Sequence, residues 1–169
     1  MRILGLDPGL RHTGWGVIEA QGNRLSFVAA GVVQPDPTLP LSERLKALFL
    51  EVQGLVAAYA PDECAVEETF VNKNPVSTLK LGHARAAIML APALAGVSVA
   101  EYKPNLVKKS VVGAGHADKD QVAAMMGVLL PGSKAGSSDA SDALAVAVCH
   151  AHHRGAALRN AALAKRAAR

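Results

Sequence analysis

Cysteine occurs only twice in the 169 residues, at Cys64 and Cys149, with no CxxC spacing. So few thiols exclude a disulfide-rich scaffold and fit a reducing compartment. Counting leaves a single Cys64–Cys149 bridge open, but none is expected. Long apolar runs are also missing: none reaches the ~18 residues that a membrane-crossing helix needs. The start of the chain lacks the basic, then apolar, then cleavable order of a secretory leader. A cytoplasmic protein with no membrane partner is expected. Aromatic residues make up 4% of the chain, so one set in a polar stretch stands out. Acids are absent after Asp142, where Arg154, Arg159, Lys165, Arg166 and Arg169 follow.

What is present is a globular composition, 50% apolar and 19% charged, in a chain long enough for one domain with a real core. The net charge of +4 is unevenly spread. Between residues 69 and 117 lie Lys73, Lys80, Arg85, Lys103, Lys108 and Lys109, opposed only by Glu101. A positive middle and tail are what a polyanion-binding surface needs. A basic tail is often merely solubilising. The middle cluster carries more weight because it sits among folded segments.

Residues 2–6, 14–20 and 24–34 read as strands, the last two joined by a Gly-Asn turn into a hairpin. Leu41, Leu45, Leu48, Val52, Leu55, Val56 and Tyr59 recur at helical spacing. "CAVE" (64–67) reads as a short buried strand. Asn74 caps a helix that starts at Pro75 and reaches about Ala91, before Pro92. A strand is expected over 97–102, short helices over 104–112 and after Asp118, and a final helix from about Asp139. A hairpin followed by strand–helix alternation predicts an α/β protein, a mixed sheet with helices on both faces. The expected division is one domain over 1–154 and a basic, flexible tail over 155–169.

Asp7 ends the first strand and Glu67 ends "CAVE". If those strands are parallel neighbours, both carboxylates emerge at the edge where open α/β sheets bind ligands. Asp139 and Asp142, spaced i, i+3, share one face of the last helix's first turn, where the helix dipole favours negative charge. Four carboxylates brought together repel unless a cation joins them. Oxygen donors without a nearby thiolate suit Mg²⁺ or Mn²⁺, and two such ions can clamp a phosphodiester for hydrolysis. Each acid also has an ordinary reading. Asp7 before Pro8-Gly9 is a common turn former, Glu67-Glu68 could be loop charge, and the aspartates could simply favour a helix start.

Their joint placement within longer blocks is more specific. "GLDPGLRHTGWGV", "AVEETFVNKNPVSTLKLGHARA", "VKKSVVGAGHADKDQV" and "SSDASDALAVAVCHAHH" resemble, in order and spacing, the RuvC family of bacterial Holliday-junction resolvases. The likeness runs from about residue 2 to His153. It implies a ribonuclease-H-like fold, with a mixed five-stranded sheet (an antiparallel hairpin plus parallel strands) flanked by helices. It also implies a homodimer that cuts four-way DNA junctions with paired symmetric nicks, using two Mg²⁺ or Mn²⁺ ions per active site. By the same resemblance the catalytic, metal-binding acids fall on Asp7, Glu67, Asp139 and Asp142. Lysines near the scissile phosphate fall on Lys108 and Lys119, and the aromatic at the junction centre on Phe70. Partnership with the RuvA–RuvB branch-migration complex and roles in recombination and DNA repair follow from the family alone.

Some choices stay open at this level. Glu68 beside Glu67 leaves the ligand uncertain by one residue, and His153 follows Asp142, Val146 and Cys149 at i+3/i+4 steps. "CHAHHR" has the ingredients of a zinc site but no evident further ligands. Gly82, Ala84, Ala86 and Ala87 in the 75–91 helix suit either close contact in a two-fold dimer or packing on its own sheet. A sugar-kinase or actin-like phosphate site shares the opening turn, but 169 residues are too few for two lobes. The remaining alternatives are a ribonuclease-H-like nuclease with another nucleic-acid substrate, or a junction binder without catalysis.

Overall fold

The computed structural model describes residues 1–69, 74–113, 119–133 and 136–167, without the side chains of Lys119 and of 156–167. Ten elements follow one another: β1 (Arg2–Asp7), β2 (Thr13–Gln21), β3 (Arg24–Val33), α1 (Leu41–Tyr59), β4 (Glu63–Glu67), α2 (Pro75–Leu94), β5 (Ser98–Tyr102), α3 (Pro104–Val112), α4 (Lys119–Leu129) and α5 (Ser138–Ala167). The sheet order is β3-β2-β1-β4-β5. β1 pairs antiparallel with β2 and β2 with β3, whereas β1–β4 and β4–β5 are parallel. The mixed sheet expected from the sequence is therefore present, with β1 at its centre.

β1 is apolar at every inner position because helices cover both sides of it. Ile3 packs into the layer formed with α3, α4 and α5, where Leu144, Val148 and Met126 are buried. Leu4 and Leu6 point the other way, toward Leu48 and Val52 of α1 and Ile88 of α2. Cys64 lies in this second layer and Cys149 in the first, so the sheet separates the two free thiols. Burial pushes the Cys64 thiol up to about 12, leaving it an inert core group.

α2 extends three residues beyond the expected end, with Pro92 inside it. A proline in the last turn forfeits one N–H bond, and here its ring is buried while its carbonyl accepts from Val97 N–H at 3.0 Å. α5 starts at Ser138, one residue early, because the Ser137 hydroxyl accepts from Ala140 N–H at 3.2 Å as an N-cap. Its backbone stays helical to Ala167, through the segment expected to form a flexible basic tail.

α5 lies on a floor without side chains. Gly5 of β1 is paired with Gly16 of β2, and Asp7 with Gly14. A methyl group on Gly5 would come within 2.2 Å of the Ala143 carbonyl oxygen, and one on Gly14 within 2.0 Å of the Asp139 carbonyl oxygen. One on Gly16 would meet the Leu144 side chain at 2.7 Å. These glycines serve for closeness, and the approach fixes how high α5 rides above the sheet.

Gly5→Ala should therefore cost about 1–3 kcal/mol or more through forced displacement of α5. A methyl group on Gly82 of α2 would meet nothing within 4 Å, so Gly82→Ala should leave stability unchanged or raise it by about 0.5–1 kcal/mol. Urea unfolding of both variants against wild type checks the opposite signs.

Candidate active site

The turn after β1 is held from beneath. Thr13, fully buried, accepts from Gly9 N–H at 3.2 Å and donates to the Gly9 carbonyl at 2.6 Å. The Arg44 guanidinium of α1 donates to the Leu10 carbonyl at 2.8 Å. Asp7 thus stands at the root of a fixed turn.

Strand alternation decides where the acids point. Ile3 and Gly5 face α5, so Asp7, two residues further on, faces the same way. Ala65 belongs to the same layer, which puts Glu67 on that side too. The parallel register runs Ile3↔Glu63 to Leu6↔Val66, so Asp7 and Glu67 come next on neighbouring strands. The period of two settles which of the adjacent glutamates meets Asp7: the Glu67 carboxyl is hydrogen-bonded to it.

A cavity of about 350 Å³ opens at this end of the sheet. Asp7, Glu67, Glu68, Asp142 and Lys108 supply its charged lining, while Leu81, Val107 and Val122 wall it from α2, α3 and α4. Nothing in the sequence marked Leu81 or Val122 for this place, because both read as ordinary apolar helix positions. Asp139 is absent from the lining and lies one turn earlier on α5, with its backbone over Gly14. His153 does not approach the acids. It sits about 16 Å further along α5 than Asp142, against Ser110 and the Tyr102 ring. His150 is committed to Tyr102 and Glu63, and Cys149 to Ser110. Phe70 and the Lys119 side chain lie outside the described residues.

The electrostatics follow from crowding. Glu67 is pushed up to about 8, first by burial, then by the charges of Asp7 and Asp142 and by its hydrogen bond with Asp7. Lys108 pulls in the opposite direction and is outweighed. A proton between two carboxyls substitutes for a countercharge. Among the described residues, no three such side chains are closed up as a finished cation cage. The donor chemistry nevertheless fits hard divalent cations, since the acids at the mouth offer oxygen only.

Residues 3–150 match the family model described as crossover junction endodeoxyribonuclease RuvC. The chain belongs to the RuvC family. The RuvC protein of Azorhizobium caulinodans is 65% identical to it, covering 96% of this chain and 97% of that one. The RuvC protein of Rhodopseudomonas palustris strain BisA53 is 63% identical over 94% and 91% of the two chains. Among solved structures, T. thermophilus RuvC in complex with Holliday junction substrate superposes with a TM-score of 0.87. It is 34% identical, and the match covers 93% of this chain and 96% of that one. The yeast mitochondrial resolvase Ydc2, 12% identical with a TM-score of 0.70 over 94% of this chain and 81% of that one, shares the fold. The mouth with the acids thus belongs to a RuvC fold along nearly its whole length.

The raised Glu67 has a measurable consequence. Folded, this carboxyl keeps its proton up to about pH 8, whereas an unperturbed one loses it near 4.5. The cation-free fold therefore gains stability from this group at acid pH and loses it as pH rises between those values. Melting in chelator should show Tm falling across that window, and Glu67→Gln should flatten the fall. Parallel curves for variant and wild type would contradict the assignment.

Proposed function

We propose that the protein is a structure-selective endonuclease that resolves four-way (Holliday) DNA junctions by symmetric paired nicks, in recombination and DNA repair. The observation that carries this is the meeting of Asp7, Glu67 and Asp142 with Lys108 at one mouth. The family's junction-bound structure supports the choice of substrate.

In this reading Asp7, Glu67, Asp139 and Asp142 hold divalent cations, two Mg²⁺ or Mn²⁺ ions per site. Bound there, the ions supply Lewis acidity toward a phosphodiester and an activated water. The chain's own contribution is placement. Asp7 and Glu67 are fixed by adjacent parallel strands, and Asp142 by a helix seated directly on its glycine floor. Glu67 gives up its proton when positive charge enters, because the repulsion that held the proton is then cancelled. Lys108 stands where negative charge builds on the reacting phosphate and stabilises it. Lys119 and Phe70 complete the DNA contacts, Phe70 by stacking on an unpaired base. Hydrolysis by in-line attack leaves 5′-phosphate and 3′-hydroxyl ends.

Assembly belongs to the same proposal. α2 turns Val76, Leu79, Leu90 and Leu94 toward solvent, and the helical repeat sets these on one stripe. Ala84 is buried in the protein's own core, so it takes no part in that stripe. A two-fold dimer through the leucines suits a junction whose strands are related by two-fold symmetry. The nuclease domain is taken as 1–154, with 155–169 as a basic appendage. RuvA–RuvB partnership and a cytoplasmic location complete the proposal; among the described residues no helix is long and apolar enough to cross a membrane.

Asp7→Asn should slow nicking of a mobile four-way junction by about 10³-fold, several kcal/mol of lost charge stabilisation. Junction affinity should stay within about threefold, since phosphate contacts dominate DNA binding. Gel-based cleavage and binding assays on the junction, a linear duplex and an RNA–DNA hybrid test both substrate and site. Nicking by the variant at the wild-type rate would remove Asp7 from the chemistry.

Sedimentation should give a dimer for the wild type and a monomer for Leu79→Asp, because a charge in the stripe's middle opposes burial. A wild-type monomer at high micromolar concentration would overturn the dimer.

A further inference from the structure

Lys108 lies on α3 between two polar joints to α5, and the proposed chemistry uses neither. At the first joint, the Tyr102 hydroxyl meets His150 Nδ1 at 2.9 Å, and His150 Nε2 meets Glu63 Oε2 at 2.6 Å. Arg154 Nε donates to the other oxygen of Glu63 at 2.7 Å. A carboxylate only accepts, so Nε2 carries the proton, and Nδ1 is left to receive the Tyr102 hydroxyl. His150 is only 7% exposed, which makes this a shielded link from the end of β5 to the middle of α5. At the second joint, Cys149 Sγ donates to Ser110 Oγ at 3.2 Å, and His152 Nδ1 meets the Ser110 carbonyl at 3.1 Å.

These joints bracket the residues that bring Lys108 to the mouth. Tyr102 is the register partner of Glu67, and its carbonyl accepts from Glu68 N–H at 2.8 Å. Lys103 caps α3 immediately after it, and Lys108 follows one turn and a half later. Val107 and Val111 are buried between the joints. Apolar contact of that kind holds α3 near α5, but it is non-directional and tolerates sliding. Hydrogen bonds at both ends fix angle and register.

We propose that Tyr102 and Ser110 are positioning residues that lock α3 against α5 and so fix the Lys108 ammonium opposite the acids of the mouth. The inference rests on the nuclease reading above. Neither side chain touches the reacting atoms, and both act through Lys108. Displacing a group at the reacting centre by about 1 Å can lower a rate by as much as about 10²-fold.

The test is single-turnover nicking of a four-way junction by the full-length chain, with junction Kd measured separately. Tyr102→Phe and Ser110→Ala each remove only an oxygen. Each should lower the cleavage rate about 5- to 30-fold and leave Kd within about twofold. In a Lys108→Ala background the same changes should cost less than about twofold, because the group they position is gone. Unchanged rates in both single variants would overturn the inference. So would a loss that persists undiminished without Lys108, since that marks general loosening of the fold. A wild type that fails to nick junctions would instead overturn the nuclease reading.

Discussion

The close approach of α5 to β1 and β2 is the constraint on which the other features depend. Gly5, Gly14 and Gly16 contribute no side-chain burial of their own, so they weaken the sheet locally. What they permit is contact between the α5 backbone and the strand backbones, with Leu144 seated directly against Gly16. Ile3 and Ile18, paired across β1 and β2, fill the layer beside that contact. Asp142 is thereby delivered to the same opening as Asp7 and Glu67. A bulkier floor would lift the helix and open the gap between the acids.

Once the acids are together, burial and repulsion compete with Lys108 for control of Glu67. The outcome is a Glu67 carboxyl pushed up to about 8 and hydrogen-bonded to Asp7. Protonation costs the fold little and keeps the carboxyls close, whereas full ionisation would drive them apart. Asp139 stands one turn earlier on α5, in its first turn near the positive end of the helix dipole. Tyr102, the register partner of Glu67, stands beside these crowded strand ends. Burial, with the neighbouring Cys149 and Glu63, pushes its hydroxyl up to about 12, so it remains a hydrogen-bond donor to His150.

Much of this was legible in the sequence because it depends on short periods. Alternation along "RILGLD" and "CAVE" places Asp7 and Glu67, whereas the i, i+3 step from Asp139 to Asp142 brings only Asp142 into the lining. The α1 boundaries follow from the spacing of leucines, valines and Tyr59 between residues 41 and 59, and they coincide with the observed helix. Features that depend on distant segments were hidden. A glycine in a strand does not announce that a helix backbone more than a hundred residues later will rest on it. The His150–Glu63 contact joins residues 87 apart. The cysteine and histidines of "CHAHHR", which suggested a metal site, are absorbed by partners on β4, β5 and α3. Pro92 misled because a proline reads as a stop, while in the last turn of a helix it forfeits only one bond.

The two surfaces of α2 connect the chemistry to the proposed assembly. Leu81 lines the mouth, whereas Leu79 and Leu94 stand 65% and 68% exposed on the solvent side of the same helix. α2 is therefore a spacer one helix thick between the acids and any partner seated on the leucine stripe. In a two-fold dimer built there, two such spacers separate the mouths by at least about 20 Å, given a helix diameter of about 10–12 Å. That distance exceeds the roughly 8 Å screening length of physiological salt, so neither mouth senses the other's charge. Charge repulsion between the mouths therefore plays no part in coordinating paired nicks by such a dimer.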